Sequence, residues 1–213
     1  ASAVGDVQAA ADVDGKVFMV TPDGALYVQN EDLKTGLQYI CTLEVTPTDL
    51  AYNAKDGFLY GISESDGLVR IDKLTGACTK VGMPGIRTGT LACDEAGTFY
   101  SLSCEDNGLY RFTLDTMAEP VAITSEVHSN NYVQALELNP NNGKLYWNSF
   151  YYFDFYGFFQ LIYAELYEID PATGEVVTLK DFEHEITALC IIIDTLLQSL
   201  CITLDQRQRC LQL

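Results

Sequence analysis

The sequence predicts an all-β chain, a β-propeller of four-stranded antiparallel blades, and three observations carry that reading. Short hydrophobic runs alternate large apolar with small or polar residues, the mark of half-buried strands. Gly-bearing turns separate the runs, at places where a positive φ costs least in glycine. The pattern also repeats. The aromatic of the second run falls at Phe18, Tyr60, Tyr100 and Tyr146, spacings of 42, 40 and 46 residues. A period near forty with four short strands per unit is the signature of a propeller blade. One such sheet cannot bury both faces alone, so the blades must pack against one another around an axis.

The strands of each blade are termed a to d from the axis outward. Blade one, 7–45, has Ala10-Ala11-Asp12 as strand a and Val17-Phe18-Met19-Val20 as b. The turn Thr21-Pro22-Asp23-Gly24 leads to Leu26-Tyr27-Val28 as c, and Tyr39-Ile40-Cys41-Thr42-Leu43 is d. Blade two, 46–86, contains the plainest copy: Phe58-Leu59-Tyr60-Gly61-Ile62 and Leu68-Val69-Arg70-Ile71 around the turn Glu64-Ser65-Asp66-Gly67. Blade three, 87–129, has Leu91-Ala92-Cys93, Phe99-Tyr100-Ser101-Leu102 and Leu109-Tyr110-Arg111-Phe112. Blade four, 130–185, has Ala135-Leu136-Glu137-Leu138, Leu145-Tyr146-Trp147 and Leu166-Tyr167-Glu168-Ile169.

The tail, 186–213, departs from the pattern. Its three apolar runs suit strands a, b and c, and a strand d is missing. The sequence favours a five-bladed ring in which residues 1–6 supply the missing strand and remove the open edge. The other reading is a fragment of a larger ring or an aberrant tail. The whole of 1–213 is then a single domain.

Composition narrows the function. A net charge of −18 repels phosphate backbones, which disfavours nucleic acid and anionic membranes. No apolar run reaches the length of a membrane-spanning helix. The start Ala1-Ser2-Ala3 looks like the small-residue end of a cleaved leader, pointing to an extracellular or cell-surface setting, with a cytoplasmic one still open. The seven cysteines, at 41, 78, 93, 104, 190, 201 and 210, are odd in number and sit inside strand patterns, where a free thiol packs as a small hydrophobe.

The repeated unit, with its G-x-[LF]-Y, G-L-[YV]-R and D-x-x-T-G segments, resembles the propeller repeats of bacterial secreted proteins in the NHL, YVTN and quinoprotein-like group. Lys144-Leu145-Tyr146-Trp147-Asn148 is similar to one YWTD repeat of receptor propellers, with Asn148 in place of Asp. The resemblance covers about 180 residues. It implies the fold and leaves function open, because propellers host unrelated activities.

One irregularity points to a site. The gap from strand-b aromatic to strand-c position is 9 residues in blades one and two, 10 in blade three and 21 in blade four. Blade four thus carries about eleven extra residues rich in aromatics. In a propeller these b–c turns share a face with the d–a connections 45–49, 82–89, 125–132 and 181–186. The candidate ligand or partner patch is Trp147, Tyr151, Tyr152, Phe155, Tyr156, Phe158 and Tyr163, since exposed aromatics suit sugar stacking or a protein hot spot. The competing account is two longer strands whose aromatics pack internally or in an oligomer.

His128 and His184 fall in the same class of connection, with Glu126 and Glu183, and this set is the candidate divalent-metal site. The run Asp12-Val13-Asp14-Gly15 resembles the start of a calcium loop, but the further ligands do not follow, and Asx turn chemistry accounts for it. No G-x-S-x-G, phosphate-binding loop or dinucleotide fingerprint occurs, and no catalytic residue is assigned. The leading expectation is a non-enzymatic binding module for a glycan or protein, without a cofactor. The alternatives are a metal-dependent lyase or hydrolase and a purely structural repeat that oligomerises through the patch.

Overall fold

The computed structural model describes residues 6–30, 36–124, 127, 132–155, 159–182, 186–193, 198–204 and 207–212. Side chains are described for these except 30, 132–134, 152–155, 159–163, 186, 192, 193 and all from 198 onward. Every element of regular structure among them is a strand.

The four repeats form four four-stranded antiparallel sheets, each in simple sequence order. Blade one is β1 (Ala9–Asp12), β2 (Lys16–Val20), β3 (Ala25–Asn30) and β4 (Gln38–Thr42). Blade two is β5 (Asp49–Asn53), β6 (Phe58–Ser63), β7 (Gly67–Ile71) and β8 (Cys78–Gly82). Blade three is β9 (Ala92–Cys93), β10 (Phe99–Leu102), β11 (Leu109–Phe112) and β12 (Val121–Thr124). Blade four is β13 (Tyr132–Asn139), β14 (Lys144–Phe155), β15 (Phe159–Ile169) and β16 (Val176–Phe182). A bulge in the c–d pairing recurs in all four, between Leu26 and Tyr27, Leu68 and Val69, Leu109 and Tyr110, and Leu166 and Tyr167.

The tail forms a three-stranded sheet of β17 (Ile186–Ile193), β18 (Gln198–Leu204) and β19 (Arg207–Gln212). Its innermost strand lies between those of blades one and four. Ala188 and Cys190 pack with Val7, Ala10, Val17 and Met19, and Leu189 and Ile191 pack with Ala135, Tyr146 and Leu166. The Thr187 hydroxyl donates to the Val7 carbonyl at 2.6 Å. A fourth strand, and with it a fifth blade of the same build, is not shown; residues 1–5, from which the sequence would draw that strand, lie outside the described residues.

The cores lie between blades. Phe18, Val20 and Leu26 of blade one pack on Leu50, Leu59, Val69 and Ile71 of blade two. Tyr60, Ile62 and Leu68 meet Leu91, Phe99 and Phe112, and Leu102 and Leu109 meet Leu136, Trp147, Tyr167 and Ile169. The division of sizes follows the wedge shape of the arrangement. Strands a crowd the axis and carry alanines, Ala9, Ala10, Ala11, Ala51, Ala92, Ala135 and Ala188, all buried. The large side chains come from strands b and c, where the blades diverge, and each contributes about 1.5–3 kcal/mol by leaving water.

The outer rim is fitted by glycine. Gly76, at φ +72, closes the c–d turn of blade two, and a Cβ there would lie 1.9 Å from Cys41 Sγ on strand d of blade one. Gly174 stands the same way against Thr124 of blade three, its Cβ position 2.8 Å from Thr124 Cβ.

Candidate functional site

Two places invite a ligand, and they lie at opposite ends of the strands. At the b–c end, the extra residues of blade four lengthen its two middle strands. The β14–β15 ladder runs unbroken from Leu145 opposite Ile169 to Phe155 opposite Phe159. Strand β13 accompanies it only as far as Phe150, and β16 only as far as Ala164. Beyond these points five residue pairs, 151–155 against 159–163, have no further strand of their own sheet among the described residues. At about 3.4 Å per residue this two-stranded extension is on the order of 17 Å long.

The sequence marks that extension as aromatic, but its patch divides. Trp147 is a core residue, only 2 % exposed, with its ring stacked on Tyr167 at a centroid separation of 5.1 Å. Tyr151 is half-buried. The side chains of Tyr152, Phe155, Tyr156, Phe158 and Tyr163 lie outside the described residues, as do His128, His184, Glu126 and Glu183. Among the described residues no group of three or more His, Cys, Asp or Glu side chains is arranged to hold a metal ion. The b–c turns and d–a connections do share a face: Glu64 of one turn and Arg87 of the next connection are joined by an ion pair at 2.8 Å.

At the a–b end a cavity of about 630 Å³ opens around the axis. Asp12 and Asp14 of blade one, Tyr52 of blade two, Asp94 of blade three and Glu137 of blade four contribute to its wall, with Ile191 of β17. No Lys, Arg or His contributes to it among the described residues. In the a–b turns that build its rim, Asp and Asn side chains bond nearby backbone amides, and those of Asn53 and Asn139 form Asx turns. Asp94 Oδ1 accepts from Thr98 N at 2.8 Å, Asn53 Oδ1 from Lys55 N at 3.0 Å and Asn139 Oδ1 from Asn141 N at 3.0 Å.

Asp49, 1 % exposed, lies on the same strand as Ala51 of the cavity wall, two residues before it. Its Oδ2 accepts from Leu91 N at 2.8 Å and Leu136 N at 2.9 Å, and its Oδ1 from Leu50 N at 3.0 Å. One carboxylate thus ties strands a of blades two, three and four together across the axis. Burial pushes its pKa well above the ordinary aspartate value, and the three amide donors pull the other way without cancelling that. Burial also pushes Glu137 well up, and the neighbouring Asp49 and Asp12 add to the effect.

Sequence reasoning passed over both residues. The signal is in the aligned strand-a triplets Asp49-Leu50-Ala51, Thr90-Leu91-Ala92 and Ala135-Leu136-Glu137. An acid replaces a small residue once at the first position and once at the third.

A family model described as "Repeat of unknown function (DUF6923)" matches residues 48–187. The chain belongs to that family. No curated protein matches it. Among solved structures it is similar to a chain of the nidogen/laminin complex, at 10% identity and a TM-score of 0.61, covering 95% of this chain and 78% of that one. It is also similar to a putative gluconolactonase, at 12% identity and a TM-score of 0.58, covering 100% and 92%. A protein of unknown function from Bacteroides thetaiotaomicron matches at 14% identity and a TM-score of 0.57, covering 97% and 68%. At such identities the likeness is one of fold. It agrees with the propeller resemblance that the repeats carry.

Proposed function

We propose that this family member is a non-enzymatic binding module that meets a protein partner on the face bearing the blade-four hairpin. The observation that carries the reading is the hairpin itself. An isolated two-stranded ribbon is marginal in water, so an extension of five pairs beyond the sheet calls for something to pack on. Its sequence between 151 and 163 holds eight aromatics, the residue type that anchors interfaces. The similar fold in the nidogen/laminin complex comes from a complex between proteins. A glycan, stacking on the same aromatics, is the alternative ligand class.

The test replaces 151–163 by a two-residue turn and, separately, substitutes Tyr151, Tyr152, Phe155 and Tyr156 by Ser. Wild type is expected to retain a partner in proximity labelling of its native host, and both variants to lose it while keeping the wild-type melting temperature within a few degrees. Retention by both variants would overturn the assignment to this hairpin. Binding on a glycan array that the Ser variant loses would transfer the site to sugar.

The putative gluconolactonase among the similar folds favours a second reading, a metal-dependent hydrolase or lyase using His128 and His184 with Glu126 and Glu183. Elemental analysis of the purified chain and of the His128→Ala, His184→Ala double variant separates the two. A stoichiometric metal lost in the variant would support it.

A further inference from the structure

At the third position of the strand-a triplet, blades one, two and three place Ala11, Ala51 and Ala92, which are 1 %, 4 % and 1 % exposed. Blade four places Glu137 there, at the wall of the axial cavity. A carboxyl group thus occupies a position the other blades fill with a methyl. The residue before it, Leu136, is the one whose amide bonds Asp49 across the axis.

The neighbours from every element around Glu137 are acids or uncharged groups. Asp12 faces it from β1 and Asp49 from β5, while the Cys93 thiol stands on β9. Strand β17 contributes Ile191. Tyr146, its register partner on β14, has its hydroxyl engaged with Glu168 at 2.7 Å. Asp14, Asp94 and Glu95 line the rim, Asp14 is paired with Lys73 at 3.2 Å, and the a–b turns carry Lys16, Lys55 and Lys144 next to the lining residues Gly15, Ala54 and Gly143. A negative charge on Glu137, which is half-buried in the cavity wall, would therefore meet like charges across the cavity.

We propose that Glu137 is a proton-gated lock on the axial cavity. Carrying its proton, it lets strand β13 close against the innermost strands of blades two and three. Ionised, it repels Asp12 and Asp49 and loosens the Asp49 bridge to blades three and four. Burial and the two aspartates raise the affinity of Glu137 for its proton in the folded chain. The unfolded chain holds that proton only below the ordinary glutamate value of 4.5. The stabilisation is thus complete below that value and is lost as pH rises towards the folded one.

The experiment follows thermal and urea unfolding of the full chain between about pH 5 and about pH 8, for wild type, E137Q and the exposed control E119Q. Wild type should lose up to about tenfold in its folding constant per pH unit relative to E137Q, since one proton is at stake. E119Q should run parallel to wild type. Parallel profiles for wild type and E137Q would overturn the proposal.

Carbon-13 titration of the Glu137 carboxyl in the wild-type chain gives an answer even where E137Q does not fold. A midpoint within about one unit of the free value would overturn the lock, and a midpoint well above it would support it. Amide exchange at Leu91 and Leu136 should also quicken with pH beyond its intrinsic rate. A purely packing role for Glu137 would leave that exchange rising with pH only as the intrinsic rate does.

Discussion

Removing the Asp49 carboxylate should reveal how much of the ring is held from its centre. In Asp49→Ala the amides of Leu50, Leu91 and Leu136 lose their acceptor, at 3.0, 2.8 and 2.9 Å in the intact chain. A buried amide without a partner costs about 1–3 kcal/mol. Three such losses would approach about 6 kcal/mol, and two effects reduce the sum. The adjacent cavity can supply water to one or more of the amides. The unfavourable burial of the carboxyl, visible in its raised pKa, is also relieved. The expected net loss is about 3–5 kcal/mol, or roughly 10 °C in melting temperature for a chain of this size.

Asp49→Asn separates the bonds from the volume. An amide oxygen at the Oδ2 position still accepts from Leu91 and Leu136, while the amide nitrogen then opposes Leu50 N. That single mismatch costs about 1–2 kcal/mol. Urea unfolding of the three proteins at one pH gives the order, and exchange at Leu91 and Leu136 locates it. The reasoning fails if Asp49→Ala lies within about 0.5 kcal/mol of wild type, or if Asp49→Asn is the more damaging of the two.

Two further substitutions test the packing between blades. Gly76→Ala meets both a positive φ of +72 and Cys41 Sγ at 1.9 Å, so about 2–4 kcal/mol should be lost in urea unfolding. A Cys41→Ala background should reduce that to about 1 kcal/mol, leaving the backbone part alone. Trp147→Ala removes a ring that is 2 % exposed and stacked on Tyr167, and should cost about 3–5 kcal/mol in the same measurement. A Trp147 that served a surface patch would show less than about 1 kcal/mol.

The strands were legible because each carries its own local pattern. The period-two alternation of Phe58-Leu59-Tyr60-Gly61-Ile62 and the Gly-bearing turns place β6 and β7 without reference to the rest of the chain. The period near forty then orders them into blades. The rim geometry was legible in part: the recurrent D-x-x-T-G marks a c–d turn, while the reason for its glycine lies in Cys41 or Thr124 of the preceding blade. The axial acids were not legible. Asp49 acquires its meaning from Leu136 N, 87 positions away, and Glu137 from Asp12 and Asp49, 125 and 88 positions away, and no local pattern encodes that convergence. A lone acid in an apolar strand reads as a solvated edge until the ring closes around it.

The hairpin was found from its length, and its form follows from the ladder. Extra residues between two antiparallel strands can form a loop or more ladder, and the run 148–163 holds no Pro and no Gly before Gly157. No strand-breaking residue precedes that glycine, and the ladder continues to Phe155 opposite Phe159. The aromatic count therefore measured two populations at once. Trp147, on the part of β14 still flanked by β13, serves the core shared by blades three and four. The residues beyond Phe150 have left that sheet context.

This separation predicts independence of the two candidate sites. Strand β14 begins at Lys144 beside the a–b turns and ends at Phe155 in the hairpin, so its 12 residues place the axial cavity and the hairpin tip on the order of 36 Å apart. Effects at such a distance add unless a two-state element couples them. Combining E137Q with the shortened hairpin should therefore give the sum of the single changes within about 0.5 kcal/mol at each pH, and partner binding should be the same in E137Q as in wild type. A departure from the sum would mean that closing the cavity moves the hairpin. The strand shared by both, β14, would then be the element that carries the coupling, and the face that binds would be governed from the opposite end of the propeller.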